Sequence, residues 1–280
     1  MVDPPLPRLQ KRNPESHKGD YGRALLVGGS RGMSGSISLS GRATLRSGAG
    51  LVTLAVPDVC LDTVASFDPC YMTLGMPCDA EGRMVLAARR PLHEFAEMAT
   101  AVGCGPGWGA SESLAQLAQD LYTKLPMPAV FDADGLNGLA AVEATLGHHQ
   151  GPRILTPHPG EFDRLVGESS ATIQDREALA IRLAGDAGVV VVLKGHRTLI
   201  TDGEAQFHNT TGNAGMATGG CGDVLTGIIT ALLCQGMGPL EAARLGVHVH
   251  GLAGDLAAEK LGEVSLIATD LVDHLPQAFA

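Results

Sequence analysis

Thr218-Gly219-Gly220-Cys221-Gly222-Asp223, running directly into Val224-Leu225-Thr226-Gly227-Ile228-Ile229, holds the densest chemistry in the chain. Glycines at 219, 220 and 222 put no β-carbon in the way, so backbone amides there can turn toward a ligand. The apolar run after Asp223 predicts a buried helix, which sets the glycines at its N-terminus. Free N–H groups and the helix dipole at that end favour an anion. An aspartate beside such an anion hole can hold or deprotonate a hydroxyl while phosphate chemistry proceeds next to it. The competing reading is a glycine-rich turn whose Asp223 only caps the helix. Phosphoryl chemistry is the stronger of the two, with Asp223 expected to stay ionised at neutral pH under the helix dipole. Cys221 also opens the helix, where a thiolate is stabilised, but no histidine adjoins it in sequence to activate it.

Other clusters point the same way. Lys194-Gly195-His196-Arg197-Thr198 lies between two predicted strands, and a lysine ending a buried strand suits nucleotide phosphates or ribose. A plain β-turn with a solvated basic pair is the alternative there. Thr156-Pro157-His158-Pro159-Gly160-Glu161 sets a histidine and a glutamate at a strand end, in a loop pinned by two prolines. The functional reading is substrate contact by His158 and indirect Mg²⁺ handling by Glu161; the alternative is Glu161 as a first-turn helix acid. Asp132 and Asp134 are either metal ligands or, for Asp134, a cap of the helix that begins near Leu136. Gly105-Pro106-Gly107-Trp108-Gly109-Ala110 formally matches a dinucleotide fingerprint. With Pro106 inside the turn, it reads better as a loop closing over a phosphate or sugar. No Walker A lysine motif and no Gly-x-Ser-x-Gly elbow is present. His248 and His250 stand two apart on a predicted helix, so packing or a hydrogen bond is their reading and not a metal.

These motifs must be positioned by strands and helices. Short aliphatic runs predict strands at 23–27, 51–56, 100–103, 129–131, 153–155, 189–193 and 198–201. Helical patterns fall at 35–47, 111–124, 135–142, 160–166, 173–187, 223–235 and 240–260. Unbroken apolar strands such as Val189-Val190-Val191-Val192-Leu193 suit a parallel sheet covered on both faces. The alternation implies one open three-layer α/β/α domain spanning 1–280, with 1–16 an irregular extension. The glycine and polar motifs mostly follow strands, so they are expected to share one carboxyl edge as a single long cleft.

A net charge of −10 and the lack of any Lys/Arg cluster argue against nucleic acid or an anionic membrane as partner. The six cysteines form no Cys-x-x-Cys pair and read as reduced thiols. Residues 1–18 are polar and proline-rich, without the apolar core of a secretory signal. A soluble, cytoplasmic protein is the expectation.

Together the motifs resemble the ribokinase superfamily, whose Gly-rich turn and Asp the 218–223 stretch matches. His17-Lys18-Gly19-Asp20-Tyr21-Gly22, Leu45-Arg46-Ser47-Gly48-Ala49-Gly50-Leu51-Val52-Thr53 and Asp132-Ala133-Asp134 with Leu136-Asn137 narrow the match. With 155–161, 194–198, 213–227 and 246–255 they follow the order of one branch, the ADP/ATP-dependent NAD(P)H-hydrate dehydratases. The resemblance implies a ribokinase-like fold with a mostly parallel sheet, and a lyase that repairs hydrated NAD(P)H. It implies nucleotide contacts from Lys194, Gly195, His196, Arg197, Thr198 and Gly222, and hydrate contacts near Ala43, Gly107, His158 and Asp223. Asp223 is then the catalytic base, 219–222 the anion hole, Mg²⁺ the cofactor and ADP or ATP the phosphoryl donor, with a lean toward ADP. It further implies a homotetramer acting on one epimer beside a separate epimerase, since the epimerase domain of many relatives is missing here. Two departures stand out: Asp68-Pro69-Cys70-Tyr71-Met72 replaces a Pro-Glu-x-Met-like stretch, and Gly135 replaces the second alanine of an Asp-Ala-Asp-Ala-Leu-Asn pattern. The rival readings are a superfamily kinase acting on a vitamin-like alcohol and a non-catalytic nucleotide sensor.

Overall fold

The computed structural model describes residues 4–142, 146–169 and 172–280, so residues 1–3 of the N-terminal extension lie outside the described residues. The chain opens with β1 (Arg23–Val27), α1 (Ser34–Arg46), β2 (Leu51–Pro57), α2 (Leu61–Ala65) and β3 (Met72–Met76). It continues through α3 (Arg89–Ala96), β4 (Ala101–Cys104), α4 (Glu112–Lys124), β5 (Ala129–Phe131) and α5 (Ala133–Ala141). Next come β6 (Arg153–Leu155), α6 (Pro159–Val166), α7 (Ile173–Ala187), β7 (Val190–Leu193), β8 (Leu199–Thr201) and β9 (Gln206–His208). Three helices close it: α8 (Cys221–Cys234), α9 (Pro239–Leu261) and α10 (Ala268–Ala278).

The strands make one nine-stranded sheet in the order β3-β2-β1-β4-β5-β6-β7-β8-β9, parallel from β3 to β7 and antiparallel at the last two pairings. Successive side chains of a strand point to opposite faces, and the burial follows that rule. Leu26, Val130, Ile154 and Val192 join one apolar cluster with α1, α8, α9 and α10. Leu25, Val102, Phe131, Leu155 and Val191 join the other, with α3, α4, α5 and α7. Helices on both faces of a mostly parallel sheet give a three-layer α/β/α fold, the architecture that the ribokinase resemblance implies.

α8 is the helix that matters most for the site. Every residue from Asp223 to Cys234 is buried, as expected for a helix apolar on all sides. Each fully buried Leu or Ile contributes about 1.5–3 kcal/mol, so the helix is anchored along its whole length. Its approach to α1 depends on Gly227, where a β-carbon would stand 2.3 Å from the Ser40 carbonyl oxygen. Ser40 Oγ donates to the Asp223 carbonyl at 2.8 Å and Thr44 Oγ1 to that of Gly227 at 3.1 Å. These contacts fix where the first turn of α8 sits.

Five elements depart from the sequence-based expectation, among them α2, a five-residue helix with only Val64 buried. β3 is a sheet-edge strand with only Met76 buried, so no apolar run marks it. β9 is three residues at the other edge. α3 carries Pro91 near its start and α10 carries Pro276 inside, and proline argues against a helix when read locally.

A buried cation occupies the amino end of the sheet. Arg153, only 1% exposed, opens β6. Its guanidinium donates to the carbonyls of Tyr122 (2.8 Å), Met127 (3.1 Å), Pro152 (3.0 Å) and Leu125 (2.5 Å). The Tyr122 and Leu125 carbonyls close the last turn of α4, so this side chain satisfies acceptors the helix end leaves free.

Candidate active site

A cavity of about 860 Å³ opens at the carboxyl ends of β5, β6 and β7. Its floor is Asp132, His158 and Lys194, one from the end of each strand. The first turn of α8 forms one wall, residues 209–218 another, and α9 contributes Val247, His250 and Gly251.

α8 begins at Gly220, whose φ of +93° is the left-handed conformation that glycine adopts without strain. The first helical bond there runs from Val224 N to Gly220 O at 3.1 Å. The amides of Cys221, Gly222 and Asp223 therefore precede the helical ladder and are free for an anion, in line with the dipole. A β-carbon at Gly222 would stand 3.3 Å from Lys194 Nζ, so glycine lets the lysine reach the amides.

Lys194 Nζ is 2.6 Å from Asp132 Oδ1 and 3.7 Å from Glu161 Oε2. Burial works against its charge, but Asp132 and then Glu161 outweigh that, and the ammonium is held above its ordinary range. Asp132 is itself buried, and its second oxygen accepts from Thr226 Oγ1 at 2.8 Å. Backbone strain accompanies this corner: among the described residues Ala133 (φ +47°) and Arg197 (φ +59°) are the non-glycine residues with positive φ, and both line the cavity.

Asp223 is 9% exposed and borders the same cavity. Burial, reinforced by Asp132, pushes its carboxyl up to about 7, against a Ser36 hydrogen bond and Lys194 that pull it down. This corrects the expectation of a fully ionised Asp223 at neutral pH: desolvation by α1 and α8 outweighs the helix dipole. A carboxyl poised near 7 suits a general base better than a carboxylate at its ordinary value.

The family profile for NAD(P)H-hydrate dehydratase matches residues 24–277. The chain belongs to the NAD(P)H-hydrate dehydratase family. A bifunctional NAD(P)H-hydrate repair enzyme of Moorella thermoacetica is 44% identical over 271 residues, 96% of this chain and 51% of that protein. The ADP-dependent (S)-NAD(P)H-hydrate dehydratase of Neisseria meningitidis is 37% identical, over 91% of this chain and 83% of that protein. The chain thus spans about half the length of the first curated relatives it matches. Among solved structures, the ADP/ATP-dependent NAD(P)H-hydrate dehydratase of Bacillus subtilis, co-crystallised with ATP and Mg²⁺, superposes with a TM-score of 0.83. It is 32% identical, and the match covers 97% of this chain and 93% of that one. A ribokinase-like superfamily protein of Enterococcus faecalis matches with a TM-score of 0.82 at 28% identity, over 97% and 91% of the two chains.

In this dehydratase-family chain the sequence-predicted residues fall into two groups. Lys194, Gly195, His196, Arg197, Thr198, Gly220, Cys221, Gly222, Asp223 and His158 all line the cavity. A β-carbon at Gly219 would meet open space, while Gly220 has Leu39 Cδ1 at 2.6 Å from such an atom. Ala43 and Gly107 stand elsewhere. Ala43 is fully buried, 2.8 Å from where a β-carbon of Gly227 would be, so its side chain sits in the α1–α8 interface. Gly107 (φ +60°) lies in a buried turn, where a β-carbon would meet Met33 O at 2.7 Å and Ser36 Cβ at 2.8 Å. Ser36 is thus the neighbour that Gly107 and Asp223 share. The expected single long cleft is not the main cavity: Gly29 N donates to Pro106 O at 2.8 Å and Ser30 Oγ to Gly107 O at 2.9 Å, so those two loops pack on each other.

His158 and Glu161 form a reciprocal helix cap. His158 Nδ1 accepts from the amides of Gly160 (3.0 Å) and Glu161 (3.3 Å), while Glu161 Oε2 accepts from His158 N at 2.8 Å. Asp134 does not cap α5, which begins at Ala133; its Oδ2 accepts from Gly109 N at 2.7 Å and holds the 105–110 loop. Among the described residues no group of three or more His, Cys, Asp or Glu side chains could hold a metal. Cys221 is no thiolate, because burial pushes its thiol up to about 11. Gly135 replaces an alanine of the family pattern at a place where a β-carbon would stand 2.9 Å from Cys104 O.

Three site residues carry no role of their own in the sequence: Thr226, Ser36, and Asp255, which accepts from Gly212 N at 2.8 Å and Asn213 Nδ2 at 3.0 Å, whereas His250 makes the hydrogen bond expected of it, to the Cys221 carbonyl oxygen at 2.8 Å. Asp255 ties the 209–218 wall to α9. Gly251, next to His250, marks where the 209–218 wall comes close to α9: its missing β-carbon lets Thr211 O approach to 2.7 Å of that point.

Proposed function

We propose that this chain dehydrates the S form of NAD(P)H hydrate at the expense of a nucleotide, returning NAD(P)H with phosphate and AMP from ADP, or ADP from ATP. One observation carries the reading: a base-competent, buried Asp223 stands in the first turn of α8, whose amides precede the helical ladder, within electrostatic reach of the Lys194 ammonium. Hydroxide is a poor leaving group and phosphate a good one, so the hydrate hydroxyl is phosphorylated first. Asp223 takes the hydroxyl proton, the oxygen attacks the terminal phosphorus, and the bond from that phosphorus to the nucleotide's bridging oxygen breaks. The amides of 221–223 and Lys194 meet the charge that develops on the transferring group. The ring nitrogen's lone pair then expels phosphate as the carbon–oxygen bond breaks, and loss of a proton from the neighbouring carbon restores the ring double bond.

Lys194-Gly195-His196-Arg197-Thr198 and Gly222 are the proposed nucleotide contacts, with His158 and Asp223 toward the hydrate. Asp132, Glu161 and Asp223 outnumber the Lys194 charge, which suits a divalent cation arriving on the nucleotide phosphates. Asp132 and Glu161 would hold Mg²⁺ through its water shell, since their oxygens already accept from Thr226, Lys194 and His158. There the ion would neutralise charge on the phosphate oxygens. We place the protein in the cytosol, supported by six cysteines free of disulfides and by the absence of any membrane-crossing helix among the described residues. A homotetramer is the proposed assembly.

The test is direct. Purified protein with Mg²⁺ and NADH hydrate, given ADP or ATP, should regain NADH absorbance with one phosphate released per NADH. A stable phosphorylated product without NADH would instead establish a kinase.

A further inference from the structure

His250 lies on α9, lines the cavity beside Asn209, Thr211 and Gly251, and is used by nothing in the mechanism above. Its Nε2 is 2.8 Å from the Cys221 carbonyl oxygen. A carbonyl only accepts, so Nε2 carries the ring proton. Burial, with Lys194 adding to it, pushes the imidazole down to about 4, so the ring is neutral and Nδ1 keeps its lone pair. Among the described residues Nδ1 has no partner, and the side-chain polar atom sealed without one is Ser47 Oγ. Nδ1 therefore opens to the cavity as an unfilled acceptor.

An acceptor on a neutral ring repels phosphate oxygens and needs a donor. A nucleotide offers two kinds, its ribose hydroxyls and the amine of its base. The residue that anchors His250, Cys221, also supplies the first free amide of the anion hole, which puts the ring near the phosphate end of the ligand. The ribose is the donor nearest to that end, whereas the base amine is the farthest.

We propose that His250 is a ribose-reading residue whose Nδ1 accepts a hydrogen bond from a ribose hydroxyl of the bound nucleotide. This rests on the nucleotide reading of the cavity. It makes His250 a specificity determinant that selects ribonucleotides over deoxyribonucleotides.

Binding of ADP, 2′-deoxy-ADP and 3′-deoxy-ADP by calorimetry, with Mg²⁺ present, tests it on the wild type and on His250→Leu. One neutral hydrogen bond predicts that the wild type binds ADP about three- to tenfold more tightly than one of the two deoxy analogues. His250→Leu should bind ADP and that analogue alike. Retention of the wild-type preference in His250→Leu, or no preference in the wild type, would overturn the assignment. Imidazole ¹⁵N resonances of the wild type give a readout that needs no stable variant. The His250 Nδ1 resonance should move upfield with ADP and stay in place with the discriminated analogue; an unmoved resonance with ADP overturns the proposal. Failure of the wild type to bind ADP at all would instead defeat the nucleotide reading, and this inference with it.

Discussion

Lys194, partly buried, and Arg153, fully buried, are cations at strand ends of the same sheet, one at the carboxyl end of β7 and one at the amino end of β6. Arg153 meets four main-chain carbonyls, while Lys194 meets the carboxylates of Asp132 and Glu161 with Asp223 close by. Their titration differs to match. Burial pulls Arg153 down to about 10, whereas the carboxylates hold Lys194 above its ordinary range. Arg153 closes a helix end and asks for nothing more. At Lys194 the carboxylates exceed the cations, so that end of the sheet is left needing positive charge, on the wall of a large cavity. An unbalanced cluster on a cavity is prepared for a ligand; a satisfied cation at a helix terminus is a fastener.

The largest effect that would sharpen this contrast is Asp223→Asn, which should lower turnover about 10²–10⁴-fold, the usual worth of a general base. NADH return from the hydrate measures it; near-wild-type turnover in folded protein would remove Asp223 from the chemistry. Arg153→Met should cost about 3–5 kcal/mol in denaturant unfolding, because several buried carbonyls lose their donor. Turnover per folded molecule should stay within about twofold of wild type, and a catalytic loss there would erase the distinction between the two ends. Lys194→Met should weaken ADP binding about 10–100-fold, the range for a hydrogen bond to a charged group. It should also move the acid limb of the pH–rate profile upward, since Lys194 lowers the Asp223 value. The smallest effect is on stability. A carboxyl raised from 3.8 to about 7 keeps its proton in the fold while the unfolded chain has lost it, so stability falls as pH rises through that window. Asp223→Asn should therefore match wild type near pH 4 and melt higher at pH 8, by at least about 1 kcal/mol.

How far this could be read from the chain follows from distance along it. The 218–223 turn and the 194–198 segment announce themselves because glycines, lysine and aspartate fall within a few positions of each other. The parallel strands show because burial on both faces forces unbroken aliphatic runs such as 189–193. Asp132, Lys194 and Thr226 meet across 62 and 94 residues, and no local pattern encodes such a junction. His250 and Cys221 likewise touch only because α9 packs on α8. The Asp223 value was misjudged because the dipole is visible in sequence, whereas desolvation depends on α1 lying against α8. Ala43 shows the converse: a small residue that a family motif places near ligand has its side chain packed inside that same helix contact.

The most direct measurement is the pH dependence of single-turnover NADH return, with saturating ADP and Mg²⁺, in the wild type and in Asp223→Asn. The account predicts a wild-type rate that climbs with pH through an apparent pKa of about 7, and a low, flat profile in the variant. A variant that keeps the same climb would show that another group takes the proton, and would contradict Asp223 as the base.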